Sequence, residues 1–126
     1  MKVNDNVLKH ELAKIYFKRE KYAGSLELLL DLSNKIKRRQ ILFKDIAMCY
    51  YKMNKLEKAL EALQISLSEN SNNISSLFVE GLIYREQGNF SESISSFKRL
   101  LEFDSNNRDA LYQPVSYTHL TLPTSG

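Results

Sequence analysis

"LFVEGLIYREQGNFSESISSFKRLLEFDSNN", Leu77–Asn107, decides the fold, and it does so through what stands before it at a fixed distance. Tyr50 lies 34 residues ahead of its Tyr84, and Tyr16 another 34 ahead of that. Repetition at one period outranks any local motif, because it says that one supersecondary unit is used several times. With 6–39, 40–73 and 74–107 aligned, the eighth positions are Ala13, Ala47 and Gly81, and the twentieth are Ser25, Ala59 and Ser93, all small. The seventeenth positions (Tyr22, Leu56, Phe90) and the twenty-fourth (Leu29, Leu63, Phe97) are large and apolar.

Positions 4, 7, 8 and 11 of each unit keep the spacing of one helical face, and positions 17, 20, 21, 24, 27 and 28 do so again. Each unit therefore predicts two amphipathic helices. Small residues at 8 and 20 let the pair approach closely, while the tyrosine at 11 and the apolar residues at 17 and 24 fill the space around the contact. Position 15, between the helices, is Glu20, Asn54 or Gly88. Asn and Gly suit the left-handed backbone that ends a helix and Glu does not, so the first hairpin is expected to be the least regular. Asn89-Phe90-Ser91-Glu92 has the form of a capping box, with Asn89 accepting from the new helix.

The chain resembles the tetratricopeptide repeat family over residues 6–112. The third unit carries the resemblance at Leu77, Gly81, Tyr84, Gly88, Phe90, Ile94, Phe97, Leu101 and Asp104, and the second at Phe43, Ile46, Ala47, Tyr50, Leu56, Ala59 and Leu63. Lys37, Ser71 and Ser105 replace the family's proline near the end of each unit, and Glu80 replaces its apolar seventh position in unit three. The resemblance implies an all-α, right-handed superhelical solenoid of three helix-turn-helix repeats (6–39, 40–73, 74–107) and the start of a truncated fourth at 108–113.

The tail reads differently. Gln113–Gly126 contains no Lys, Arg, Asp or Glu and holds both prolines of the chain. Pro114 falls where the first helix of a fourth unit would need a hydrogen-bonding backbone N–H. Val115–Thr124, "VSYTHLTLPT", resembles the translated transposase adapter of sequencing libraries, so 114–126 is read as a non-native scar and the chain as a truncated reading frame. Arrays normally end in a polar cap. Without one, the end formed by 90–112 is expected to be marginal and to self-associate.

Little else in the composition points to chemistry. The net charge of +3 is unevenly spread: +5 over 1–39, zero over 40–73 and −2 over 74–112, a gradient that argues against a nucleic-acid partner. Charges scattered through the first thirty residues leave no room for a signal peptide, and no apolar run approaches a membrane span, so a cytoplasmic setting is expected. The lone Cys49 reads as a small core residue, and His10 has no partner at metal-ligand spacing. The glycines are too dispersed to cradle a phosphate. "KIKRR", Lys35–Arg39, reads as a solvated turn. The chain is expected not to be an enzyme and to need no cofactor or metal.

The more informative surface is the far side of each first helix, which in the resembling family lines a concave peptide groove. Here the candidates are His10, Lys14, Phe17, Lys18, Lys44, Met48, Tyr51, Lys52, Phe78, Leu82 and Arg85. Basic and large apolar groups interleave, which implies an acidic protein or peptide ligand with apolar anchors. Some family members clamp the terminal carboxylate of chaperone tails; the matching positions here are His10, Lys14, Asp45, Ser75 and Val79, which do not supply that clamp. The expected function is a protein-interaction scaffold or adaptor. The alternative is the non-catalytic N-terminal region of a larger enzyme, such as a transferase.

Overall fold

The computed structural model describes residues 4–37 and 39–103. The remainder of unit three after residue 103, the expected start of a fourth unit at 108–113 and the tail at 114–126 lie outside the described residues. Among the described residues there are six α-helices and no strand: α1 (Asp5–Lys18), α2 (Tyr22–Ser33), α3 (Arg39–Lys52), α4 (Leu56–Glu69), α5 (Ile74–Gln87) and α6 (Phe90–Phe103). They pair as three hairpins, α1 with α2, α3 with α4 and α5 with α6, and successive hairpins stack through α2 on α3 and α4 on α5. This is an all-α repeat solenoid.

Each hairpin turns through the same backbone device. At the end of α1 the Glu20 N–H donates to Phe17 O at 2.9 Å and the Lys21 N–H to Tyr16 O at 2.8 Å. The pattern recurs at Asn54 and Lys55, which donate to Tyr51 O and Tyr50 O, and at Gly88 and Asn89, which donate to Arg85 O and Tyr84 O. These are Schellman closures, in which two otherwise unpaired helix-end carbonyls are satisfied by a residue in the left-handed region and the one after it. The residues concerned are Glu20 (φ 63°), Asn54 (φ 61°) and Gly88 (φ 81°). Glu20 thus corrects the expectation of an irregular first hairpin: it takes the left-handed backbone despite its Cβ, because two hydrogen bonds and the packing of both helices outweigh a local cost of about 1–2 kcal/mol. The capping box expected at Asn89 does not form either. Its Nδ2 donates to Gln87 Oε1 at 3.2 Å, whereas side-chain caps are made by Asn4 to the Asn6 N–H (2.7 Å) and by Asn73 to the Ser76 N–H (2.8 Å).

Small residues set the distance within each hairpin. Ser25 Oγ donates to the carbonyl of Ala13 at 2.8 Å, and Ser93 Oγ donates to that of Gly81 at 2.8 Å. In both hairpins the hydroxyl at position 20 reaches the backbone at position 8, a contact possible only where the helices nearly touch. Ala59 and Ala47 make the same approach in the middle hairpin without a hydroxyl, and both are fully buried. Glu80, the departure from an apolar seventh position, accepts a hydrogen bond of 2.8 Å from Ser96 Oγ on α6. A polar pair stands there in place of an apolar one.

The core runs along the stack through Leu29, Leu32, Leu42, Ile46, Cys49, Leu63 and Ile83. Ser66 and Ser76 share a buried 2.7 Å hydrogen bond where α4 meets α5. On the back of the first hairpin Lys9 and Lys35 reach Asp31 at 2.9 and 3.2 Å, and their hydrogen bonds hold its carboxyl below the usual range. At the far end Phe90 and Ile94 are 63% and 54% exposed. Phe97 is not part of that open edge, since its ring lies edge-on to Phe78 with centroids 5.8 Å apart.

Candidate functional site

A broad concavity lies between α1, α2 and α3. It encloses about 510 Å³ and is lined by His10, Ala13, Lys14, Phe17 and Lys18 of α1, Ser25 and Leu29 of α2, and Ile41, Lys44, Asp45 and Met48 of α3. The repeat register explains why these residues meet. Ala13, Ser25 and Leu29 belong to the packed side of the first hairpin, and their small or inward-facing side chains leave the hollow. His10, Lys14, Phe17 and Lys18 rise along one flank of α1, and Ile41, Lys44 and Met48 along the facing flank of α3.

Six of the eleven sequence candidates, His10, Lys14, Phe17, Lys18, Lys44 and Met48, therefore line one cavity. The other five do not. Tyr51 is half-buried and packs against the main core, and Lys52 is exposed in the last turn of α3. Phe78 packs against the smaller cluster of Leu77 and Leu100, Leu82 is half-buried, and Arg85 approaches Glu86 at 3.8 Å. Phe17 has a structural contact as well: its ring meets that of Tyr22 at 5.1 Å, edge to face.

The charge inside is less one-sided than the helical wheel implies. Asp45 extends one oxygen to Lys44 Nζ at 2.9 Å and the other to His10 Nε2 at 3.4 Å. Lys14 pairs with Glu11 at 3.0 Å, one turn away on the same helix. Lys18 makes no ion pair among the described residues. Three lysines against one aspartate still leave the lining positive. The sequence marks Asp45 only as a position of the missing carboxylate clamp; it sits one position after Lys44, and its proximity to His10 across 35 residues is a tertiary fact.

A smaller hollow of about 200 Å³ lies between α5 and α6, lined by Glu80, Tyr84, Glu92, Ser95, Ser96 and Arg99. Burial, with Glu80 and Glu92 nearby, pushes the Tyr84 phenol up. Cys49 is buried, its Sγ 3.6 Å from Ser25 Oγ, and burial pushes its thiol up as well. Of the basic run, Lys35 is paired with Asp31 and Arg38 lies outside the described residues. Among the described residues no three His, Cys, Asp or Glu side chains gather to hold a metal, and no helix is long and apolar enough to cross a membrane.

The architecture has many solved counterparts. The Yersinia enterocolitica type III secretion translocator chaperone SycD superposes with a TM-score of 0.81 at 13% identity, over 94% of this chain and 89% of that one. The first TPR domain of human RPAP3 gives 0.80 at 18% identity, over 90% of each chain. The first TPR of Spaghetti (RPAP3) bound to the HSP90 peptide SRMEEVD gives 0.79 at 17% identity, over 91% of each. No curated protein sequence matches. Two family models, each described as tetratricopeptide repeat, match residues 45–73 and 74–107, together half of the 126 residues. With the 34-residue register, the three stacked hairpins and these matches in agreement, the chain belongs to the tetratricopeptide repeat family.

Proposed function

We propose that the chain is a protein-interaction module whose concave side receives a segment carrying acidic and apolar residues. One observation carries the reading. The cavity between the first three helices has an apolar floor of Phe17, Leu29 and Met48 and a rim bearing Lys14, Lys18 and Lys44. An apolar side chain of a ligand would be desolvated on the floor while neighbouring carboxylates meet the rim. Tyr51, Lys52, Phe78, Leu82 and Arg85 would extend the contact along α3 and α5.

The peptide SRMEEVD held by the Spaghetti domain has this character, with Met and Val among three acidic residues. Recognition here would differ in detail. Of the positions matching the family's carboxylate clamp, Val79 is buried in the core and Asp45 is already engaged with Lys44 and His10. Ligand side chains, more than a terminal carboxylate, would carry the affinity.

The test is a screen of labelled peptides by fluorescence anisotropy at low salt. Acidic peptides with spaced apolar residues should be enriched, and Lys14→Glu, Lys18→Glu and Lys44→Glu together should abolish the enrichment while the far-UV spectrum stays helical. Binding should weaken as salt rises, because exposed charges are screened over about 8 Å at physiological ionic strength. Indifference to both the lysine reversals and the salt would sink the reading.

A further inference from the structure

The repeat register exposes a second face on α1, turned away from the groove. On α3 the third, seventh and tenth positions are Leu42, Ile46 and Cys49, which are 0%, 1% and 0% exposed because the preceding hairpin covers them. The same positions on α1 are Leu8, Leu12 and Ile15, and they are 52%, 39% and 57% exposed. Asp5, three residues before Leu8, and Arg19, four after Ile15, continue the row. Alternating steps of three and four keep all five on one side of the helix. The result is an apolar stripe closed by an acid at one end and a base at the other. Neither Asp5 nor Arg19 has an ion-pair partner among the described residues.

We propose that this stripe docks on the same stripe of a second copy, with α1 antiparallel to α1 across a two-fold axis near Leu12. The charges choose the occupant and the direction. Centred on Leu12, the antiparallel arrangement sets Leu8 beside Ile15 of the second copy and Asp5 beside Arg19 of the second copy, and symmetry makes each contact twice. A parallel arrangement would oppose Asp5 to Asp5 and Arg19 to Arg19. Antiparallel alignment also brings the positive N-terminal end of each helix dipole to the negative C-terminal end of the other. Lys14 and Lys18 stand on the groove side, so both grooves stay open. The open edge at Phe90 and Ile94 is the competing surface, but it has no such self-complementary charge pair within α6. Three apolar side chains from each copy, Leu8, Leu12 and Ile15, make a small contact, so the dimer is weak, with a dissociation constant on the order of 100 µM.

Sedimentation equilibrium on the full chain at low salt, from about 5 to about 500 µM, brackets that constant. The expected result is a monomer–dimer equilibrium that stops at the dimer. Leu12→Glu should leave a helical monomer throughout. Asp5→Arg and Arg19→Asp should each weaken the dimer about tenfold or more, and the two together should return it to within about twofold of the parent. Both single changes also oppose the dipole of α1, so damage to the fold would add in the double variant while affinity recovers; melting curves separate the two effects. Failure of the double variant to recover, or a parent that stays monomeric across the range, overturns the proposal. So does growth past the dimer that Ile94→Glu abolishes, because that is head-to-tail stacking through α6.

Discussion

A Cβ placed on residue 81 would lie 2.6 Å from Cζ of Phe97, so Gly81 and Phe97 form a matched pair. The other hairpins solve the same contact with Ala and Leu, as Ala13 with Leu29 and Ala47 with Leu63. The third hairpin enlarges one partner and strips the other. Gly81→Ala should therefore destabilise despite the better helix propensity of alanine: overpacking of about 1–3 kcal/mol exceeds a gain of about 1 kcal/mol. Adding Phe97→Leu recreates the pairing of the first two hairpins and should recover part of the loss. Urea denaturation of the two single variants and the double one measures the coupling. Additive effects would mean that the two residues do not share the contact.

Glu20 supplies the second prediction. It holds φ at 63° where the third hairpin uses Gly88, and the Schellman bonds from Glu20 and Lys21 persist around it. Glu20→Gly should remove a left-handed penalty of about 1–2 kcal/mol, against a smaller loss from the greater freedom of glycine in the unfolded chain. The net expectation is a gain of about 0.5–1 kcal/mol, read as a higher Tm with unchanged helical content. Asn, which the second hairpin uses as Asn54, should give part of that gain.

These two sites show where the fold was legible and where it was not. The tyrosine spacing carries the architecture because position 11 has two linked duties: its ring fills the hairpin contact, and its backbone carbonyl accepts the closing Schellman bond in all three units. Small residues at 8 and 20 forecast the close approach for a similar reason, since few side chains fit there. Glu20 misleads because local propensity is a weak prior that tertiary packing overrides. Glu80 looks like a defect until Ser96 is brought opposite it. In the groove, a helical wheel assigns faces but not pairings, so the lysines of α1 and α3 are legible while the pairing of Asp45 with Lys44 and His10 is not.

Cys49 gives a probe of the stack between the first and second hairpins. Its side chain is fully buried, Sγ lies 3.6 Å from Ser25 Oγ on α2, and burial disfavours the thiolate. Thiolate is the reactive species. Alkylation in the folded state should be slower than in denaturant by about a hundredfold or more, and should proceed through opening of α3 from α2. Cys49→Ser should leave the fold helical but lower its stability by about 1–3 kcal/mol, because it places a hydroxyl in an apolar site with Ser25 as its one nearby partner. Rapid labelling under native conditions would show that the two hairpins separate freely.

Asp45 is the sharpest test of the groove, because it should act in the opposite direction to every lysine. Its carboxylate lies in the cavity lining, 2.9 Å from Lys44 Nζ, and repels any ligand carboxylate that approaches the rim. Asp45→Asn removes that charge with little change of shape and releases Lys44 from its ion pair. The fold has little to lose, since the pair is partly solvated and such pairs contribute only about 0–1 kcal/mol. For an acidic peptide with apolar anchors, affinity at low salt should rise by roughly three- to tenfold, the order expected when one like charge is removed near a partly exposed contact. The gain should shrink as salt rises. A peptide of the same length with its acids replaced by glutamine should bind Asp45→Asn and the parent alike, because it offers nothing for the freed Lys44 to hold. If the acidic peptide instead binds more weakly to Asp45→Asn, then Asp45 is a ligand-positioning group, and the groove selects a segment that carries a cation.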